Sequence, residues 1–344
     1  MMELKEIIGR LCKAAGPSGF EDGVRAEAME LLLPNVDEIK VEAMGNLAAF
    51  MRCADANAPT LMLSAHMDEV GLMVTGHEAG GFLRFAAIGG VDPRTLPAQE
   101  ITILTDPPLA GIVSVMPPHV LSAGEMEKAI EIDALFIDTG LSEEEAKKLI
   151  PPGTPALISS GTEELGDGFF CGRALDDRAC AAILIKTIEE LAEARPSINI
   201  VLLLTVQEEI GRRGARTGAY GVEPDCAIAV DVTFGRTPDS KREKTFPLGS
   251  GAAIGVGPSL NRGMTQSLFE TARSLNIPFE TEVLAGDSGT DGWVIELTRD
   301  GIPTALVSLP IRYMHSPVEC MKLSDAEAVK NLLVEYVRNA EVCV

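Results

Sequence analysis

Four apolar runs of this chain end in residues that can do chemistry. "TLMLSA" leads into His66 and Asp68, "INIVLLLTV" into Glu208 and Glu209, and "CAIAV" into Asp231, while "PTALVSLP" is followed shortly by His315. A fifth candidate, the pair Asp176 and Asp177, stands in "GRALDDRAC" just before a long amphipathic helical pattern. Imidazoles and carboxylates together suit borderline divalent ions such as Zn²⁺, Co²⁺ or Mn²⁺, and a catalytic centre of that kind leaves a position open for water. Two ions a few ångströms apart need about five protein ligands, one of them a bridging carboxylate. His66, Asp176, Glu209, Asp231 and His315 supply that number. Glu208 is left over, in the place of a base that takes a proton from the attacking water.

Each element has a plainer reading. Asp176 and Asp177 could be an N-cap and a favourable first-turn charge, a lone histidine after a strand is commonly structural, and an isolated "EE" is commonly a solvated helix surface. The joint pattern outweighs these, because the chain has only four histidines and two of them fall on the same set of strand ends. His77 and His119 lie apart from such carboxylate clusters and are assigned no chemistry. "VLLLTVQEE" is also not helical in pattern.

The elements that must position these residues alternate. Leu4 to about Leu33 reads as two helices around a Gly-Pro-Ser-Gly turn, followed by strands in "IKVEAMGNLAAFMR" and "TLMLSAH". From about Val70 to Glu163 short β-rich pieces are separated by Gly and Pro, with one short helix in "SEEEAKKLI". After Asp176 helices and near-continuous apolar strands alternate again. The fold class expected is α/β, a mostly parallel sheet flanked by helices, with an inserted small all-β barrel-like domain. Residues 1–69 and 164–344 would form the discontinuous main domain, and residues 70–163 the insert. In an open α/β sheet the carboxyl ends of the strands share one rim, where ligands bind.

Twenty-nine Lys and Arg against 51 Asp and Glu leave a formal charge of -22, which argues against nucleic acid or an anionic membrane as partner. Seven cysteines without a CxxC pair read as reduced, buried small hydrophobes. The N-terminus lacks the pattern of a signal peptide and no apolar run reaches about 18 residues, so a cytoplasmic location is expected.

The motifs resemble those of the M42 family of metallo-aminopeptidases, which includes the tetrahedral (TET) aminopeptidases, glutamyl aminopeptidases and proteins once labelled cellulases. The resemblance runs through "GPSGFE" (Gly16 to Glu21), "HMDEVG" (His66 to Gly71), "GGVDPRTLPAQ" (Gly89 to Gln99), "PPH" (Pro117 to His119) and "ALDDR" (Ala174 to Arg178). It continues in "VQEEIGRRGA" (Val206 to Ala215), "DVT" (Asp231 to Thr233) and "RYMHSPVE" (Arg312 to Glu319). It implies a zinc-peptidase-like (phosphorylase/hydrolase-like) main domain and metal ligands at His66, Asp176, Glu209, Asp231 and His315, with Asp176 bridging two divalent ions, Zn²⁺ or Co²⁺ first and Mn²⁺ third. It further implies Glu208 as general base, and Asp68 as the carboxylate that orients the His66 imidazole. The insert resembles the family's dimerisation domain, which implies a homo-oligomer, a dimer building block that in this family commonly assembles into a dodecamer. Arg212 and Arg213 stand where family members commonly carry an apolar residue, and "FGRTPDSKREKTFPLGSG" after "DVT" has extra basic residues. Both leave the side-chain preference open.

The function expected is hydrolysis of N-terminal residues from short peptides through a metal-bridging water, with Glu208 as base. One rival keeps the metals and changes the substrate to an N-acylated or non-peptide amide. A second makes the insert an interaction module on an inactive scaffold, which the presence of Glu208 and all five proposed ligands argues against. A glycoside hydrolase using Glu208 and Glu209 fits less well, since neighbours in an extended chain point apart and aromatic residues make up only 4 % of the chain.

Overall fold

The four apolar runs are the centre of the sheet. In the computed structural model, which describes residues 2–339 apart from 56, 123 and 125–129, strands Asn199–Thr205, Thr60–His66, Cys226–Phe234 and Thr304–Arg312 lie side by side and parallel. Side chains alternate between faces: Leu61 and Leu63 enter the larger core, and Met62 enters the smaller one behind it. Helices Leu4–Lys13, Leu175–Glu193, Arg262–Ser274 and Leu323–Asn339 cover the first face, and Arg213–Val222 with the single turn Gly292–Ile295 covers the second. Burial on both faces is why these runs read as continuously apolar.

The parallel character is concentrated at this centre. Both margins are antiparallel, through Glu38–Val41 and Leu47–Met51 on one side and Glu319–Lys322, Phe169–Gly172 and Glu163–Leu165 on the other. Strands Ala252–Val256 and Phe279–Val283 branch off Thr304–Arg312. The first of these sits in the glycine-rich stretch, where Gly255 is needed because a Cβ would lie 2.9 Å from Leu260 and 3.0 Å from Leu306. Helix Leu175–Glu193 departs from the amphipathic expectation. Every residue from Leu175 to Ile185 is buried, because the helix is sandwiched between the sheet and the helices Leu4–Lys13 and Leu323–Asn339.

Six antiparallel strands between Gly71 and Ile158 close into a barrel, filled by alternate residues such as Leu72, Val74, Leu83, Phe85, Ile101, Ile103 and Val113. Its short helix Glu143–Leu149 starts with a capping box, in which Ser142 accepts the Glu145 N–H and the Glu145 carboxylate takes the Ser142 N–H. Cys12, Cys53, Cys171, Cys180 and Cys320 are free. Cys226, by contrast, is disulfide-bonded, which corrects the expectation of a fully reduced set, and Cys343 lies outside the described residues. Among the described residues no helix is long and apolar enough to cross a membrane.

Candidate metal centre

Strand register brings the candidates to one rim. His66 pairs with Thr205, and the Thr60–His66 and Cys226–Phe234 strands run at an offset that, carried to their ends, sets Asp231 level with His66. Asp231 in turn pairs with Ser308. His66, Asp176, Glu208, Glu209, Asp231 and His315 all line one cavity of about 640 Å³.

Asp176 lies between the two histidines. Its Oδ1 is 3.1 Å from His66 Nε2 and its Oδ2 is 3.3 Å from His315 Nε2, while His315 Nε2 is also 3.2 Å from Glu209 Oε1. The N-cap alternative for this pair does not hold: Asp176 and Asp177 have non-helical backbone, and neither caps the helix with its side chain. Two groups have donor atoms close enough together to share one ion, His66 with Asp176 and Glu209, and His66 with Asp177 and Asp231. Asp177 thus belongs to the neighbourhood as well as Asp176. Its Oδ2 takes the His66 backbone N–H at 3.3 Å, and its Oδ1 is buried without a partner.

Two further carboxylates hold the site from behind by gripping backbone. Asp68, fully buried, accepts the Glu208 N–H at Oδ1 (2.9 Å), and at Oδ2 it accepts the Glu209 N–H (3.2 Å) and the Ser18 hydroxyl (2.5 Å). The His66 ring is held mainly by the main-chain carbonyl of Asp68, 3.1 Å from Nδ1, with the carboxylate at 3.5 Å. Glu319 does for the other side what Asp68 does for this one. It accepts the His315 N–H at 2.8 Å and the Asp176 N–H at 3.0 Å. Glu319 had no chemical signal in its neighbourhood, because a carboxylate that binds main-chain N–H groups needs no particular partner residue.

Glu208 and Glu209 are not on extended chain. The strand ends at Thr205, Gln207 is left-handed (φ 57°), and the Glu208 carbonyl accepts from the N–H groups of Gly211 and Arg212. The turn aims both side chains into the cavity, and Asp68 fixes the turn.

His315 also has a left-handed backbone, with φ 61°. Its Nδ1 is 3.0 Å from the carbonyl of Gly90, which belongs to the loop leaving barrel strand Leu83–Ile88. A Cβ on Gly90 would lie 2.8 Å from that nitrogen, so the approach requires glycine. Asp291, also unsignalled by the sequence, accepts the Thr205 and Ser64 hydroxyls at 2.6 and 3.3 Å beneath the same rim.

The electrostatics call for cations. Burial pushes the Glu208 carboxyl up to about 9, helped by Asp231, Asp291 and Glu209 and opposed by His66. Burial first, then Asp176, raises Glu319 to about 8. Asp177 and Asp231 are raised for the same reasons, burial and then neighbouring carboxylates. Hydrogen bonds to Asp176 and Glu209 lift His315 to about 11, and at His66 those to Asp176 and Asp68 overcome the opposing effect of burial. A buried set of oxygen and imidazole donors with one carboxylate oxygen unpartnered fits divalent metal ions.

The M42 glutamyl aminopeptidase profile matches residues 45–332. This chain belongs to that family. As an M42 chain it is a peptide hydrolase of the aminopeptidase kind, with a mixed α/β domain and a separate closed barrel. The lysyl aminopeptidase of Pyrococcus furiosus is 37 % identical over 333 residues, 95 % of this chain and 94 % of that one. The TET aminopeptidase of a marine sediment Thaumarchaeota archaeon superposes with a TM-score of 0.93 at 30 % identity, covering 98 % of this chain and 97 % of that one. The TET1 peptidase of Pyrococcus horikoshii, which can assemble into a tetrahedron or a large octahedral shell, superposes with a TM-score of 0.87 at 29 % identity, over 98 % of this chain and 100 % of that one. The M42 profile and the Pyrococcus furiosus relative carry opposite preferences in their names, glutamyl and lysyl.

Proposed function

We propose that this M42 chain removes N-terminal residues from short peptides at a centre of two divalent ions. His66 and Asp231 would ligate on one side, Glu209 and His315 on the other, and Asp176 between. The observation that carries this reading is the Asp176 carboxylate, which offers one oxygen to each imidazole. Zn²⁺ or Co²⁺, with Mn²⁺ as a further possibility, would supply polarisation of the scissile carbonyl and a lowered pKa for the attacking water. Glu208 takes the proton of that water and delivers it to the leaving amine. Asp68 and Glu319 keep the base and ligands in place through their backbones, the role of a supporting shell around a metal centre.

We further propose a homo-oligomer built through the barrel, on the strength of the assemblies of the Pyrococcus horikoshii relative. Light scattering tests it, and a monomer at working concentration overturns it. For the chemistry, the test is chelation followed by return of Zn²⁺, Co²⁺ or Mn²⁺, assayed on free-amino and N-acetyl peptide p-nitroanilides. Metal-dependent turnover confined to free-amino substrates is expected. Equal turnover of the acetylated ones would overturn the aminopeptidase assignment.

A further inference from the structure

The cavity at the metal centre extends past the proposed ligands to Glu282, on strand Phe279–Val283. Its carboxylate is anchored with both oxygens, Oε1 accepting the Thr233 hydroxyl at 2.5 Å and Oε2 the Ser308 hydroxyl at 2.6 Å. Thr233 lies two residues beyond Asp231 on the same strand, and Ser308 is the register partner of Asp231 on the next. Glu282 is therefore anchored to the two strands that carry the proposed ligand Asp231 and its register partner. It makes no ion pair among the described residues.

The other charges around the cavity differ in kind. Arg212 is spent on Asp287 in a two-pronged pair, with Nη1 at 2.5 Å from Oδ1 and Nη2 at 3.0 Å from Oδ2. Glu243 and Lys244 are adjacent, opposite in sign and exposed, so water screens them. That leaves Glu282 as the desolvated, unbalanced charge on the substrate side of the cavity. Burial raises its pKa while the two hydroxyls oppose the rise, and a desolvated carboxylate of this kind gains most from an arriving cation. Exposed apolar surface on Phe234 and Val283 lines the way in and suits an aliphatic stem that ends in charge.

We propose that Glu282 determines specificity by receiving the side-chain cation of an N-terminal lysine or arginine. The proposal rests on the aminopeptidase reading above and names the substrate class for that site. A lysine's four-carbon stem carries its charge well beyond the backbone that the metal centre would hold, toward the far wall of the cavity. An N-terminal glutamate would meet Glu282 directly and find the half-buried guanidinium of Arg212 already engaged by Asp287.

The test compares lysyl, norleucyl, leucyl and glutamyl p-nitroanilides on the metal-loaded enzyme and on Glu282→Gln. Norleucine keeps the stem and removes the charge. The enzyme should prefer lysyl over norleucyl by about tenfold or more in kcat/KM, the worth of one charge-assisted hydrogen bond. In Glu282→Gln that ratio should fall toward one, chiefly through a higher KM for the lysyl substrate. Parity between lysyl and norleucyl in the unaltered enzyme overturns the proposal without any variant, as does a preference for glutamyl. Turnover of leucyl without a lysyl advantage sinks this proposal alone, whereas no turnover of any free-amino substrate sinks the aminopeptidase reading with it.

Discussion

Oδ1 of Asp68 accepts the backbone N–H of Glu208 at 2.9 Å, from a position with no exposure to solvent. The same carboxylate takes the Glu209 N–H and the Ser18 hydroxyl, so it receives three donors and offers none. Asn at this position would turn an NH₂ toward one of those donors. Asp68→Asn should lower kcat by about 10- to 100-fold, with the fold retained. Steady-state kinetics beside a circular dichroism spectrum check it, and an unchanged kcat would remove Asp68 from the supporting shell.

Glu208→Gln keeps the shape of the side chain and removes the base. Turnover should drop by about 10²- to 10⁴-fold, while metal content per subunit, read by plasma mass spectrometry, stays at the level of the parent enzyme. Parent-like turnover would show that the proton goes elsewhere.

At Gly90 an added methyl group meets His315 Nδ1 at 2.8 Å. Gly90→Ala should push the imidazole from its place and weaken metal retention by at least about tenfold, seen in a chelator titration. The melting temperature of the chelated protein should barely change, since the loop carries no core residue at this position.

The metal-free protein should lose stability as pH rises. In the metal-free fold the Glu208 carboxyl is pushed up to about 9 from an ordinary 4.5, and the His315 imidazole to about 11 from an ordinary 6.5. Between those limits the folded state holds more protons than the unfolded one, so the slope of stability with pH is negative. The contribution is fully present below about pH 4.5 for Glu208 and below about 6.5 for His315; it is lost as pH climbs toward 9 and beyond. Melting temperatures of chelated protein across pH 6 to 9 should fall steadily, and returning the metal should flatten the curve. A rising curve would contradict the cation-hungry reading of the cluster.

Arg178 has no exposed side-chain surface, and its guanidinium donates to the carbonyls of Met67, Leu11, Ala14 and Gly16 and to the Glu69 carboxylate. Removing it leaves Glu69 buried with Arg173 as its remaining ion partner. Arg178→Ala should cost about 3 to 5 kcal/mol in denaturant unfolding, and should also reduce activity, because Met67 and Glu69 flank Asp68.

The rim itself was legible because strands covered on both faces are near-continuous apolar runs, and a polar residue at the end of such a run stands out. His66, Glu208, Glu209, Asp231 and His315 stand out in this way. Asp291 and Glu319 do not, since hydroxyls and main-chain N–H groups supplied by distant segments leave no spacing to read. The turn after Thr205 was also missed: Gln207 adopts its left-handed conformation without a glycine to announce it. Glu282 gives no signal because "FETEVL" alternates as any half-buried strand does, and only its hydrogen bonds from Thr233 and Ser308, on strands distant in sequence, give that position meaning.

The Gly90 carbonyl that steadies His315 comes from the barrel, whereas His315 itself belongs to the segment that follows the central sheet. The insert is consequently not a detachable module. Excising it and splicing the flanking ends would leave the sheet its strands and its core, and would leave Glu319 on the His315 backbone, yet the imidazole of that proposed ligand would lose the carbonyl that fixes its Nδ1.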